Sequence, residues 1–262
     1  WGRDLDGGNS SSVSSELSSG VIQVYSSLRA FAALKNDGSV ITWGRDNFGG
    51  DSSDVSSELS SGVIQIYSNE QAFAALKDDG SVVTWGYWGK GGDSSSVSSE
   101  LSSGVSKIYS NREAFAALKD DGSVVTWGLG YNGGDSSSVS RALSSGVSKI
   151  YSNRHAFAAL KDDGSVVTWG NDQDGGSRSS ASSELSSGVK QVFSTVEAFA
   201  ALKDDGSVFT WGDIKNGGDS SDVSNQLTSN VSHIYSTDYA FAALKDDGSV
   251  VTWGNKYYGA DS

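Results

Sequence analysis

Tryptophan followed by glycine recurs at Trp1, Trp43, Trp85, Trp127, Trp169, Trp211 and Trp253, always 42 residues apart and without insertion or deletion. A unit of this length cannot bury its apolar surface alone, so its copies must stack as propeller blades, solenoid coils or a linear array. Six full periods are followed by a partial seventh copy from Trp253, which matches the opening residues. The period binds residues 1–262 into a single predicted domain of six tandem repeats.

The third copy shows the shape of one unit. Segments 105–110, 114–119 and 123–127 have strand length and are rich in β-branched and aromatic residues. Asp120-Asp121-Gly122 between the second and third is a hairpin signal. The second segment, Ala-Phe-Ala-Ala-Leu-Lys, is nearly all apolar, as suits a strand covered on both faces, and its alanines permit close approach. The following stretch, 128–146, is serine-rich. In the equivalent stretch of the preceding copy, Val97 and Leu101 stand four apart, compatible with one helical turn or with a short outer strand. The reading is an all-β propeller of six blades, each with three strands and a serine-rich connector or short outer strand.

Composition removes several classes. Cysteine, methionine and proline are absent, which excludes disulfides, cysteine nucleophiles and thiolate metal sites. No apolar run reaches the roughly 18 residues of a membrane span. The chain opens at Trp1 with neither initiator methionine nor signal peptide, which predicts a portion of something larger. A formal net charge of −13 opposes nucleic acid and anionic lipid and suits a protein partner with a basic patch. Serine and glycine are abundant, yet aromatic and aliphatic residues recur at fixed places, as a packed core requires.

The combination Gly104-Val105, Ile108, Ala116 to Lys119, Asp121-Gly122, Val124 and Trp127-Gly128 resembles the blade signature of regulator-of-chromosome-condensation-type repeats. Within that family, residues 55–63 and 75–82 look like the secreted bacterial β-lactamase-inhibitory protein II group. The resemblance implies a propeller whose loops on one face grip a protein partner, and a secreted or cell-surface location. Propellers of that group usually have seven blades, where six full units are counted here. Ser56, Gly50 and Asn69 also depart from the pattern, standing where proline, glutamine and a nearby glycine are common. Eukaryotic members that act as nucleotide-exchange factors bind chromatin as well, a role to which an acidic chain is not suited.

The copies can be compared with one another. Variation concentrates in two windows, one after Trp-Gly and one before Ala-Phe-Ala-Ala-Leu. In an antiparallel blade both fall at the same end, while the nearly constant Asp-Gly hairpins fall at the other. A constant framework with diversified loops on one face is how a rigid scaffold presents a recognition surface. The candidate partner-binding residues are Arg29, Phe48, Glu70, Gln71, Tyr87, Trp88, Arg112, Glu113, Tyr131, Arg154, His155, Ile214, Asp238, Tyr239, Tyr257 and Tyr258. Aromatic and arginine side chains among them are the types that anchor protein interfaces. The competing reading is unconstrained drift in a structural spacer or assembly repeat of a larger extracellular protein.

No catalytic constellation emerges. The chain has two histidines, His155 and His233, and lacks nucleophile-elbow, zinc-helix and phosphate-loop motifs. Its carboxylates sit at equivalent turn positions, whereas an acid–base pair needs two distinct environments. Asp78-Asp79-Gly80 is read as a hairpin turn rather than a calcium loop. Trp43 and its equivalents are expected to pack between blades. The predicted protein is therefore no enzyme and carries no cofactor or metal. Glycan binding at repeated aromatic pockets is a weaker third reading. Near-identical copies are equally compatible with recent amplification and with deliberate construction. If the ring does not close, unpaired edges would invite association between chains.

Overall fold

The computed structural model describes residues 3–177 and 183–260. Trp1, the first repeat start, and Ser262, the end of the predicted domain, lie outside them.

Among the described residues, eighteen strands form six three-stranded antiparallel sheets, each in the order first–second–third. Blade 1 is β1 (Val21–Ser26), β2 (Ala30–Lys35) and β3 (Val40–Gly44). Blade 2 is β4 (Val63–Ser68), β5 (Ala72–Lys77) and β6 (Val82–Gly86). Blade 3 is β7 (Val105–Ser110), β8 (Ala114–Lys119) and β9 (Val124–Gly128). Blade 4 is β10 (Val147–Ser152), β11 (Ala156–Lys161) and β12 (Val166–Gly170). Blade 5 is β13 (Val189–Ser194), β14 (Ala198–Lys203) and β15 (Val208–Gly212). Blade 6 is β16 (Val231–Ser236), β17 (Ala240–Lys245) and β18 (Val250–Gly254). The fold is all-β, built from six propeller blades. Contacts group the chain into two compact units, Trp1–Gly130 and Tyr131–Ser262.

Within each unit one joint recurs. A blade contributes alanines of its middle strand, and the next blade covers them with a leucine, aliphatics, a phenylalanine and the tryptophan. Between blades 1 and 2 the core contains Ala30, Ala32 and Leu34 on one side and Leu59, Val63, Ile66, Phe73 and Trp85 on the other. The same set appears between blades 2 and 3, and again between blades 4 and 5 and between 5 and 6. Burying a side chain such as Ile66 or Phe73 contributes about 1.5–3 kcal/mol. The middle strand is covered on both faces, which is why it reads as apolar rather than alternating.

The tryptophan also bonds backward across the joint. Trp85 stacks on Phe73 at 5.2 Å and donates its indole N–H to the Gly49 carbonyl of the preceding turn at 3.1 Å. Trp127 does the same with Phe115 and Gly91, and Trp211 with Phe199 and Gly175. Gly49 has φ +92°, and a Cβ there would come within 2.5 Å of the Phe73 ring. Its neighbour Gly50 lies against the Gly44 carbonyl, also at 2.5 Å from any added Cβ. The tryptophan that ends one blade and the glycine pair that follows the preceding blade thus belong to one contact that recurs along the chain.

The connector takes the helical alternative, and the described residues show no outer strand. Short 3-10 turns such as Ser53–Val55 and Ser95–Val97 carry the chain back along the third strand. Leu59 is buried and its carbonyl accepts from Val40 N–H at 2.9 Å, which covers the edge of β3. Lys77 Nζ donates to the Glu58 carbonyl at 2.8 Å, tying the connector's end to the hairpin end of the blade. The Asp-Asp-Gly segments are hairpin turns: Asp79 Oδ1 accepts from Ser81 N–H at 2.9 Å. Among the described residues, no three acidic, histidine or cysteine side chains are gathered to hold a metal.

Candidate recognition surface

Both variable windows meet at one end of every blade, opposite the Asp-Gly turns. A single polar residue holds them together. In blade 2, Asn69 is buried; its Oδ1 accepts from the backbone N–H groups of Gln71 and Ala72 at 2.8 Å each. Its Nδ2 donates to the Lys90 carbonyl in the other window at 2.6 Å. Asn153 repeats this with the Asp174 carbonyl at 2.6 Å. Where asparagine is replaced, a hydroxyl reaches across instead: Ser27 to Phe48, Thr195 to Asn216, Thr237 to Tyr258. These positioning residues escaped the sequence reading. Their signal was a position that changes identity between copies and yet stays polar.

The tips are also joined from blade to blade. In the first unit Leu28 N–H donates to the Glu70 carbonyl at 2.9 Å, and Glu70 N–H to the Arg112 carbonyl at 3.3 Å. In the second unit Arg154 N–H donates to Val196, and Val196 N–H to Asp238, both at 2.9 Å. The turns therefore present side chains from a fixed backbone.

Several charged candidates are engaged with one another. Arg112 Nε lies 2.8 Å from Glu70 Oε2, and that carboxylate raises the guanidinium's pKa. Lys90 Nζ and Glu113 Oε1 are 2.7 Å apart. Arg29 reaches Asp6 at 3.7 Å and lies over the Phe48 ring, which also carries Arg45. In the second unit Arg154 approaches Glu197 at 3.7 Å, and His155 Nδ1 contacts Asp174 Oδ2 at 2.7 Å. The sequence offered no partner for His155; the structure supplies one, 19 residues away in the other window.

The aromatic candidates divide into two groups. Phe48 and Tyr87 are half-buried, Phe48 against the joint core and Tyr87 beside Trp88 with ring centres 6.0 Å apart. Tyr239 is half-buried against Tyr258 at 4.8 Å. Trp88 in the first unit, and Tyr131, Ile214, Tyr257 and Tyr258 in the second, are exposed. Asp238 is exposed and Gln71 half-buried. An open groove of about 820 Å³ runs between the connector after blade 1 and β6. Trp85 lines it but is buried and stacked on Phe73, leaving no open ring face of the kind a sugar would need.

The chain is a β-propeller repeat protein in which invariant residues build the joints and diversified turns occupy one end of each blade. No protein-family model matches it, and no curated protein matches it in sequence. Its fold is similar to several solved structures. One is yeast RCC1 (Prp20) bound to Kap60, at 15% identity over 89% of this chain and 70% of that one, with a TM-score of 0.49. Another is Prp20p from Saccharomyces cerevisiae, at 16% identity over 89% and 72%, with a TM-score of 0.48. A third is the ectodomain of the receptor kinase CR4 from Physcomitrella patens, at 15% identity over 90% and 62%, with a TM-score of 0.47.

Proposed function

We propose that the chain is a non-enzymatic binding module that recognises a protein partner through the variable turns at one end of its blades. The observation that carries this reading is the coincidence of variation with exposed apolar side chains on hydrogen-bonded turns. Trp88, Tyr131, Ile214, Tyr257 and Tyr258 are large, exposed, and displayed by backbone that each blade fixes in the same way. Drift alone has no reason to concentrate such residues there. The net charge of −13 favours a partner with a basic patch. The resemblance of residues 55–63 and 75–82 to the β-lactamase-inhibitory protein II group supports the finer reading of a secreted or cell-surface bacterial recognition protein.

A capture experiment tests it. The parent and a Trp88→Ala/Tyr131→Ala/Tyr257→Ala variant are compared for proteins retained from the source organism's surroundings. A specific protein held by the parent and lost by a variant with unchanged unfolding midpoint supports recognition. Equal retention, or none, favours a structural spacer. The ion pairs Arg112–Glu70 and Lys90–Glu113 are the observation on that side, because they spend variable residues on holding neighbouring blades together.

A further inference from the structure

Each joint has two sides, and one copy of each side is uncovered. The side that covers a preceding blade is formed in blade 1 by Leu17, Val21, Val24 and Phe31. Val24 is 51% exposed, where its equivalents Ile66 and Ile108 are 1% exposed. Leu17 and Phe31 are half-exposed, where Leu59 and Phe73 are buried. The opposite side, which the next blade covers, is formed in blade 6 by Tyr235, Ala242 and Val250. Val250 is 58% exposed against 8% for Val40, and Ala242 is half-exposed where Ala32 and Ala74 are wholly buried.

We propose that this chain associates head to tail with a second copy of itself, blade 1 of one copy docking on blade 6 of the other. The joints inside the molecule are the argument for that occupant. Ala32, Leu34 and Val40 pair with Leu59, Val63 and Ile66 in the core between blades 1 and 2, and the two open faces carry the same types at the same positions. Val24 on the one face and Val250 on the other are exposed apolar side chains of the kind that such a contact would cover. The contact is heterologous, each copy offering a different face. By the internal pattern, the Leu17 carbonyl would accept from Val250 N–H as Leu59 does from Val40.

Docking requires one exchange. Residues 3–8 form the turn that Phe31 and Trp43 of blade 1 grip, Trp43 donating to the Gly7 carbonyl at 3.2 Å. Residues 255–260 form the equivalent turn on blade 6, where nothing lies within 4 Å of a Cβ placed on Gly259. The two turns claim one position in the joint. Residues 255–260 are the ones built to yield. Ala260 stands where other copies have glycine, and at Gly50, Gly92 and Gly218 a Cβ would come within 2.5 Å of a backbone carbonyl group. The Ala260 N–H to Asn255 carbonyl bond is 3.3 Å, against 3.0 Å or less in its counterparts at Gly50, Gly92, Gly176 and Gly218.

Light scattering of the eluting protein tests the proposal with Val24→Asp and Ala242→Asp variants, each placing a carboxylate on one open face. Near-ultraviolet dichroism checks that each variant keeps its fold. The parent should exceed its monomer mass of 27.3 kDa increasingly with concentration. Each variant alone should stay at that mass, and an equimolar mixture should give a species of twice the mass, because one intact face remains on each. A chain ending at Gly254 should associate at lower concentration than the parent. A parent that is monomeric throughout, as closure of the two faces within one chain would make it, overturns the proposal; so does a mixture that stays monomeric. Equal or weaker association of the shortened chain overturns the exchange of turns.

Discussion

The two ends of a blade are held with equal care and used differently. At the Asp-Gly end, Asp79 accepts from Ser81, Asp78 N–H donates to the Gly62 carbonyl, and Lys77 caps the preceding connector. The Asp79 and Lys77 side chains both serve the backbone, and these positions barely change from copy to copy. At the other end the backbone is fixed by a single residue, Asn69 or its equivalent, and by tip-to-tip bonds between main-chain groups. Of the remaining side chains there, some pair with one another, as Glu70 does with Arg112 and Lys90 with Glu113, and others, such as Trp88 and Tyr131, stand exposed. Variation follows that division of labour more closely than it follows exposure, since the Asp-Gly turns are exposed as well.

The sharpest way to break the comparison is at the joint both ends depend on. Trp127→Ala removes a buried ring that stacks on Phe115 and bonds Gly91, and should cost about 3–5 kcal/mol in denaturant unfolding. Asn69→Ala should cost about 1–3 kcal/mol, because it leaves the Lys90 carbonyl and the N–H groups of Gln71 and Ala72 without their partner. Its signature is a loss of amide-exchange protection at residues 70–72 and 88–90 with the hairpin end unchanged.

Acid should act on the aspartates that cap the constant turns. The Ser123 hydroxyl and amide bonds hold the Asp121 carboxyl below its ordinary pKa, and Asp79, Asp163, Asp205 and Asp247 are lowered in the same way. A folded-state pKa below the unfolded one gives stability that is present above the unfolded value and is lost as pH falls through the folded one. The unfolding midpoint should therefore be flat above about pH 5 and fall below about pH 4. Ser123→Ala should make that fall shallower. The smallest effect on stability belongs to Trp88→Ala, within about 0.5 kcal/mol. If the variable turns bind a partner, the same substitution should weaken binding about tenfold or more, measured by titration calorimetry.

Much of the fold was legible in the sequence. The interval between tryptophans, the all-apolar middle strand and the Asp-Gly pair each answer to one contact, and each lies where the period placed it. The connector was not legible. Val97 and Leu101 fit a helical turn and a strand equally well, and the deciding contact, a leucine carbonyl folded back onto the edge of the third strand, joins residues about half a repeat apart. The variable surface was legible as a location but not in its state. Nothing in the string shows that Phe48 lies beneath two arginines, or that Glu70 and Arg112, from different copies, neutralise each other.

Those cross-copy ion pairs bear on how such a chain finds its own order. Where the joint residues are shared from blade to blade, apolar packing does not distinguish a blade's true neighbour from the one beyond it, and skipped or exchanged pairings are the characteristic error of near-identical repeats. Glu70 with Arg112, and Lys90 with Glu113, are specific to blades 2 and 3. They act as addresses, telling one interchangeable part which other part comes next.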